Sequence, residues 1–115
     1  MEPMQFYKSL SDETRLKSLL LIQQEEELCV CELVVALGEV QPKISRHLAH
    51  LRETKLLVDR RQSKWVFYRI NPDLPKWALD ILSISSSNNT EFLKENTTRL
   101  TTMGNRPERA ALCCK

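Results

Sequence analysis

Apolar positions along the chain recur with two periods, and the change from one to the other divides it into elements. Leu16, Leu19 and Leu20 stand at i, i+3 and i+4, which predicts a helix over 11–24. Ser11 reads as its N-cap, with Asp12 and Glu13 in the first turn, where negative charge suits the helix dipole. Met4 to Leu10 can add one or two turns upstream, and the acidic run Glu25 to Glu27 reads as a solvated helix end or link. A short helix from about Cys31 to Leu37 turns Leu33 and Leu37 inward and stops at Gly38. The segment "QPKISRHLAHLRE" then opens another helix, with Pro42 pre-set for its first position.

That second helix sorts by angle. With Ile44 at zero, Leu48 and Leu51 lie within roughly 40° of it and form the stripe to be buried. Lys43, Arg46, Ala49, His50 and Glu53 face the other way, and Ser45 lies on the flank. His47 falls beside the stripe and reads as a partly buried, hydrogen-bonded ring. The period then drops to two: Val66, Tyr68 and Ile70 alternate with Trp65, Phe67 and Arg69. Leu56–Arg60 and Trp65–Ile70 are expected to pair as a hairpin around Arg61, Gln62, Ser63 and Lys64. A further helix is expected from Asp73, its inner face formed by Leu74, Trp77, Ala78, Ile81 and Leu82. "SISSSNNT" breaks that pattern, Phe92, Leu93 and Leu100 give a weak helical signal, and the tail from Thr101 reads as poorly ordered.

The expected class is therefore mainly α with a β-hairpin wing: a winged helix-turn-helix, dimeric through terminal helices. A chain of 115 residues holds one small domain, and pairing with a second copy would cover apolar surface that one core cannot. The expected division is 1–84 for DNA binding and dimerisation and 85–115 for a C-terminal extension, partly helical or disordered. With 42% hydrophobic and 28% charged residues, the composition is that of a folded soluble protein. No apolar run reaches the length of about 20 residues that spans a bilayer, and "MEPMQFYKSL" lacks the features of a signal peptide. A cytoplasmic location with no membrane partner is expected, where four cysteines suit metal or redox chemistry better than structural disulfides.

A net charge of +2 hides a strong asymmetry. Residues 41–70 carry +6 and the remainder −4, a basic segment on an acidic body. The basic residues fall on the second helix of the helix-turn-helix and on the wing, the two parts that meet double-stranded DNA. Gln41, Ser45, Arg46 and His50 are candidates for base or phosphate contact, and Lys43 for phosphate. Arg60, Arg61 and Lys64 are candidates to hold the backbone or minor groove at the wing.

Together, "LSDETRL", "ELCVCEL", "QPKISRHLAHLRE", "KWVFYRI" and "PKWA", in that order from about Leu10 to Ala78, resemble the ArsR/SmtB metal-responsive repressors. The resemblance is nearest to the arsenic-responsive group. It implies a homodimer that sits on operator DNA, blocks transcription and leaves when As(III) or Sb(III) binds. RNA polymerase would be affected only indirectly, by promoter occlusion. The resemblance also implies that Cys29 and Cys31 are the inducer-binding thiols, with no permanent cofactor and no enzymatic activity. A third cysteine frequent in such proteins is replaced by Val34, so the remaining ligand would be solvent, a small thiol, or Cys113 or Cys114.

Soft thiolates suit a soft, thiophilic centre. Positions i and i+2 of a helix are about 200° apart, so chelation by both cysteines is expected to undo the helix's first turn and tilt the recognition helix. Cadmium or lead as inducer, and a thiol-redox switch, are the alternatives. A dithiol enzyme would need an activated thiolate, and no His or Lys stands near Cys29.

Overall fold

The computed structural model describes residues 1–104, so Cys113, Cys114 and most of the expected tail lie outside the described residues. The elements run α1 (Pro3–Leu10), α2 (Glu13–Glu25), β1 (Leu28–Cys29), α3 (Val30–Leu37), α4 (Gln41–Glu53), β2 (Leu57–Gln62), β3 (Trp65–Ile70), α5 (Lys76–Ser87) and α6 (Lys94–Thr102). The strands form one antiparallel sheet in the order β1-β3-β2.

Helix α2 is the hub. Its consecutive residues Ser18 to Ile22 are all buried, so neighbours surround it instead of covering one stripe. Asp12, not Ser11, caps it: an Asp12 carboxylate oxygen accepts the Arg15 N–H at 3.0 Å. Ser11 instead closes α1, its hydroxyl donating to the Lys8 carbonyl at 2.7 Å. The inner stripe of α4 is as the angles predict, with Ile44, Leu48 and Leu51 fully buried. Full burial of each contributes about 1.5–3 kcal/mol. Pro42 is in the first turn, and Val40 is the N-cap. Gly38 closes α3 in the left-handed region, at φ 64°, so that its N–H reaches back to the carbonyls of Val34 and Val35.

Strand β1 has no counterpart in the periodicity. At two residues it is too short to show one, and its partner β3 supplies the register, Leu28 opposite Tyr68 and Cys29 opposite Phe67. The wing pairs from Leu57–Ile70 to Gln62–Trp65, so the loop is only Ser63 and Lys64. Ser63 takes a positive φ of 58°, as short hairpin loops require for their twist, and the hairpin forms without the glycine favoured there.

Helix α5 starts later and ends later than expected. The Asn71 side chain accepts the Asp73 N–H at 2.9 Å in a local turn, and Pro75, extended at ψ 150°, is the N-cap. At the other end the serines and asparagines remain attached to the helix, with Ser87 Oγ donating to the Ser83 carbonyl at 2.5 Å and Asn88 Nδ2 to that of Ile84 at 2.9 Å. Thr101 and Thr102 close α6, where disorder was expected to begin. Leu93 and Leu100 belong to the main core, and Asn96 Nδ2 and Arg99 Nη1 both donate to the Ala36 carbonyl, at 2.8 and 3.1 Å. Residue 84 lies inside α5, and among the described residues beyond it Leu93 and Leu100 pack in the main core.

Candidate thiol site and nucleic-acid interface

Cys29 ends β1 and is the N-cap of α3, with extended angles of φ −92° and ψ 168°. Helix α3 therefore begins one residue later than Cys29, and the helical separation of the two thiols does not apply. The Sγ atoms of Cys29 and Cys31 lie 3.1 Å apart. This corrects the expectation that a regular helix holds them away from each other: an extended residue and a first-turn residue can aim side chains at one point.

Glu32 holds that arrangement. Its side chain is completely buried, and Oε1 accepts the Cys29 N–H at 2.9 Å. In return the Cys29 sulfur receives the Glu32 N–H, a capping box in which a thiol replaces the usual hydroxyl. Burial pushes the Cys29 thiol up to about 11, and the neighbouring Glu32 carboxylate pushes the same way. Cys29 is protonated at neutral pH.

The thiols do not join the main core. Cys29 and Phe67 form a small cluster of their own, against which Cys31 and Trp65 pack. The rings of Trp65 and Phe67 meet edge to face at 6.1 Å. Among the described residues no group of three or more His, Cys, Asp or Glu side chains is arranged around a common point. Val34, at the position of the absent thiol, packs against the main core. Among the described residues the sulfurs that meet here are those of Cys29, a free thiol, and Cys31, which is disulfide-bonded. Once both are reduced, two soft sulfurs suit a thiophilic centre.

On α4, Gln41, Ser45, Arg46 and His50 are exposed, while Lys43 is half-buried and paired with Glu39 at 3.1 Å. His47 is mostly covered, its Nε2 3.7 Å from an Asp12 oxygen at the start of α2. Burial lowers its pKa despite the Asp12 charge, so it is neutral at pH 7. On the wing, Arg61 and Lys64 are exposed. Arg60 is engaged elsewhere: Nη2 and Nε donate to the two Glu27 oxygens at 2.6 and 2.7 Å, and Nη1 to Gln62 Oε1 at 2.8 Å. Its guanidinium also lies over the Phe67 ring, 4.8 Å from the centroid. Glu27 is thus a structural partner and not merely part of a solvated acid run, while Glu26 ends α2 at φ 74°. Sequence reasoning missed Glu27 and Glu32. Glu32 had a readable signal, since Cys29-x-x-Glu32 has capping-box spacing once cysteine is allowed as the cap.

Helix α3, the Gly38 turn, α4 and the β2–β3 wing define a winged helix-turn-helix, the architecture of DNA-binding transcriptional regulators. Comparison with known proteins narrows the class. The pattern described as bacterial regulatory protein, arsR family matches residues 12–57, from the α2 cap to the start of β2. The arsenic resistance transcriptional regulator ArsR2 of Pseudomonas putida strain KT2440 is 52% identical over 112 residues, 97% of each chain. The arsenical resistance operon repressor of Escherichia coli strain K12 is 58% identical over 80 residues, 70% of this chain and 68% of that one. Among solved structures, the AntR antimony-specific transcriptional repressor matches with a TM-score of 0.61 and 27% identity over 75% of each chain. The chain belongs to the ArsR family of bacterial regulatory proteins. It is a transcriptional regulator with a helix-turn-helix DNA-binding domain, not an enzyme.

Proposed function

We propose that the protein is a homodimeric repressor that binds operator DNA through α4 and the wing and releases it when As(III) or Sb(III) bonds to Cys29 and Cys31. The observation that carries this reading is the 3.1 Å separation of two sulfurs packed against Phe67 and Trp65 of the wing. The names of two relatives, which concern arsenic resistance, point the same way.

Cys31 is disulfide-bonded in this structure, so a thiol reductant must first release it; with both cysteines reduced, the chemistry balances without an added base. Arsenous acid carries three hydroxyls on arsenic; each thiol that bonds to arsenic gives its proton to a departing hydroxyl, which leaves as water. Two S–As bonds form, two As–O bonds break, and two waters are released. The third position keeps its hydroxyl or takes another thiol. Neither arsenic nor sulfur changes oxidation state. Cys29 is suited to this exchange because it enters it as the neutral thiol.

On the DNA side, Gln41, Ser45, Arg46 and His50 line the exposed face of α4, with Lys43, Arg61 and Lys64 supplying positive charge near the phosphates. Arg60 can take a DNA contact only by leaving Glu27. The dimer would be closed by the terminal helices, where Met4, Tyr7 and Ile84 are exposed at 72%, 51% and 61%. Helix α1 is seated against α5 by the ring contact of Phe6 and Trp77 at 5.1 Å, so these residues belong to neighbouring helices.

Fluorescence anisotropy on promoter DNA tests the reading. Arsenite or antimonite is expected to weaken binding by about 5- to 150-fold, the range of an ordinary allosteric coupling. Cys29→Ser and Cys31→Ser are expected to bind DNA as wild type does and to lose the response. Release in both variants equal to wild type would remove the site. Cadmium, lead and peroxide in parallel titrations address the other inducers, and release by peroxide but not arsenite would make the thiols a redox switch.

A further inference from the structure

We propose that the bound inducer acts first on the wing, and that the Glu27–Arg60 ion pair is the link that carries the movement. The inference rests on Cys29 and Cys31 as the inducer site and concerns how that site reaches the DNA-binding surface.

The packing supports this route. Cys29 is backbone-paired with Phe67 of β3, and Phe67 is in turn the cross-strand partner of Arg60 on β2. Arg60 covers the Phe67 ring and grips Glu27, two residues before Cys29, with two charge-assisted hydrogen bonds. Glu27, Cys29, Phe67 and Arg60 therefore close a ring of contacts that includes both wing strands. In this unit Cys29 and Cys31 bond to the inducer, and among the described residues the apolar side chains clustered with them are Phe67 and Trp65, both on the wing. A displacement of Cys29 when arsenic seats between the sulfurs is passed directly to β3. It reaches Arg61 and Lys64 near the hairpin tip without crossing the main core.

The alternative route, along α3 to the recognition helix, is restrained. Helix α3 has eight residues, and its far end is pinned where Asn96 and Arg99 of α6 both donate to the Ala36 carbonyl. The Ile44, Leu48 and Leu51 face of α4 is locked in the core. Moving α4 would disturb its fully buried stripe. The part of the wing beyond its buried core anchors Leu57 and Tyr68 is held instead by a partly exposed ion pair and two aromatic rings, with Val66 only partly buried against the core. The half-exposed position of Arg60, at 47%, leaves the pair able to open. Glu27 and Arg60 are accordingly positioning residues, which act on the inducer and the DNA-binding surface through the ion pair between them.

The test uses the full chain with Glu27→Gln and, separately, Arg60→Gln. Circular dichroism verifies folding, near-ultraviolet absorption of the sulfur–arsenic bonds follows uptake, and anisotropy follows DNA affinity with and without arsenite. Both variants are expected to take up arsenite within about twofold of wild type, while the DNA-release ratio falls at least about fivefold. In a Trp77→Phe background, Trp65 emission is expected to change on arsenite addition and to stay constant once Cys29→Ser is added. Release undiminished in either folded variant overturns the link and leaves the thiol site standing. Lost uptake in Glu27→Gln also overturns it, because Glu27 would then belong to the binding site. A silent Trp65 with arsenic bound overturns the wing route. Wild-type protein that takes up arsenite at neither cysteine overturns the inducer reading itself, and this inference with it.

Discussion

Cys29 shows how much one backbone angle decides. With extended φ and ψ it ends a strand and caps a helix at once, and its sulfur meets that of Cys31 although a continuous helix would set them on opposite sides. Its protonation state carries a prediction that separates the candidate inducers. With the thiol pushed up to about 11, Cys29 holds its proton through the physiological range. Bonding to arsenous acid discharges that proton as water, so arsenite affinity should change by less than about threefold between pH 6 and 8. A divalent cation must instead expel the proton to solvent, so its affinity should rise about tenfold or more for each pH unit. Calorimetric titration across that interval checks both slopes. An arsenite affinity as steep as that of cadmium would refute the exchange of hydroxyl for thiol.

At the scale of elements, α4 and the wing differ in how firmly they are held. Helix α4 keeps one face in the core and presents Gln41, Ser45, Arg46 and His50 on the other. Arg46→Ala removes an exposed charge from that face without touching the packed stripe or the thiols. It should weaken operator binding, by about 1–3 kcal/mol if the contact is to a base edge, and leave arsenite uptake unchanged. The anisotropy and absorption measurements decide this, and an Arg46→Ala protein with undiminished DNA affinity would mean that another face of α4 meets the groove. His47, on the same helix, is turned toward Asp12 and joins the recognition helix to the cap of α2. It is part of the scaffold.

For the whole molecule, the exposed apolar residues Met4, Tyr7 and Ile84 stand out on a body whose other leucines and isoleucines, among the described residues, are largely covered. Burying them in a symmetric contact would double the surface available for two operator half-sites. Sedimentation velocity at micromolar concentration should give twice the chain mass, and Ile84→Glu should shift the protein toward monomer and weaken operator binding at the same time. A wild-type monomer that binds the operator at full affinity would dispose of the dimer. Helix α6 also belongs to this scale. From its sequence it is a weak signal, because only Leu93 and Leu100 are apolar at useful spacing, yet both are fully buried and its Asn96 and Arg99 secure the end of α3.

The sequence by itself determined what repeats or is locally coded. The stripe Ile44, Leu48, Leu51, the stop at Gly38, the alternation along β3 and the basic segment over 41–70 follow from periods and charges that any reader of the chain can measure. Tertiary structure alone decided what depends on partners distant along the chain. The two-residue strand β1 exists because β3 offers it hydrogen bonds, and Glu27 is tied to the wing because Arg60, remote in sequence, is folded back onto it. The meeting of the two sulfurs has the same cause, since pairing with Phe67 keeps Cys29 extended and out of the helix. A side chain's direction is local information only where the backbone around it is.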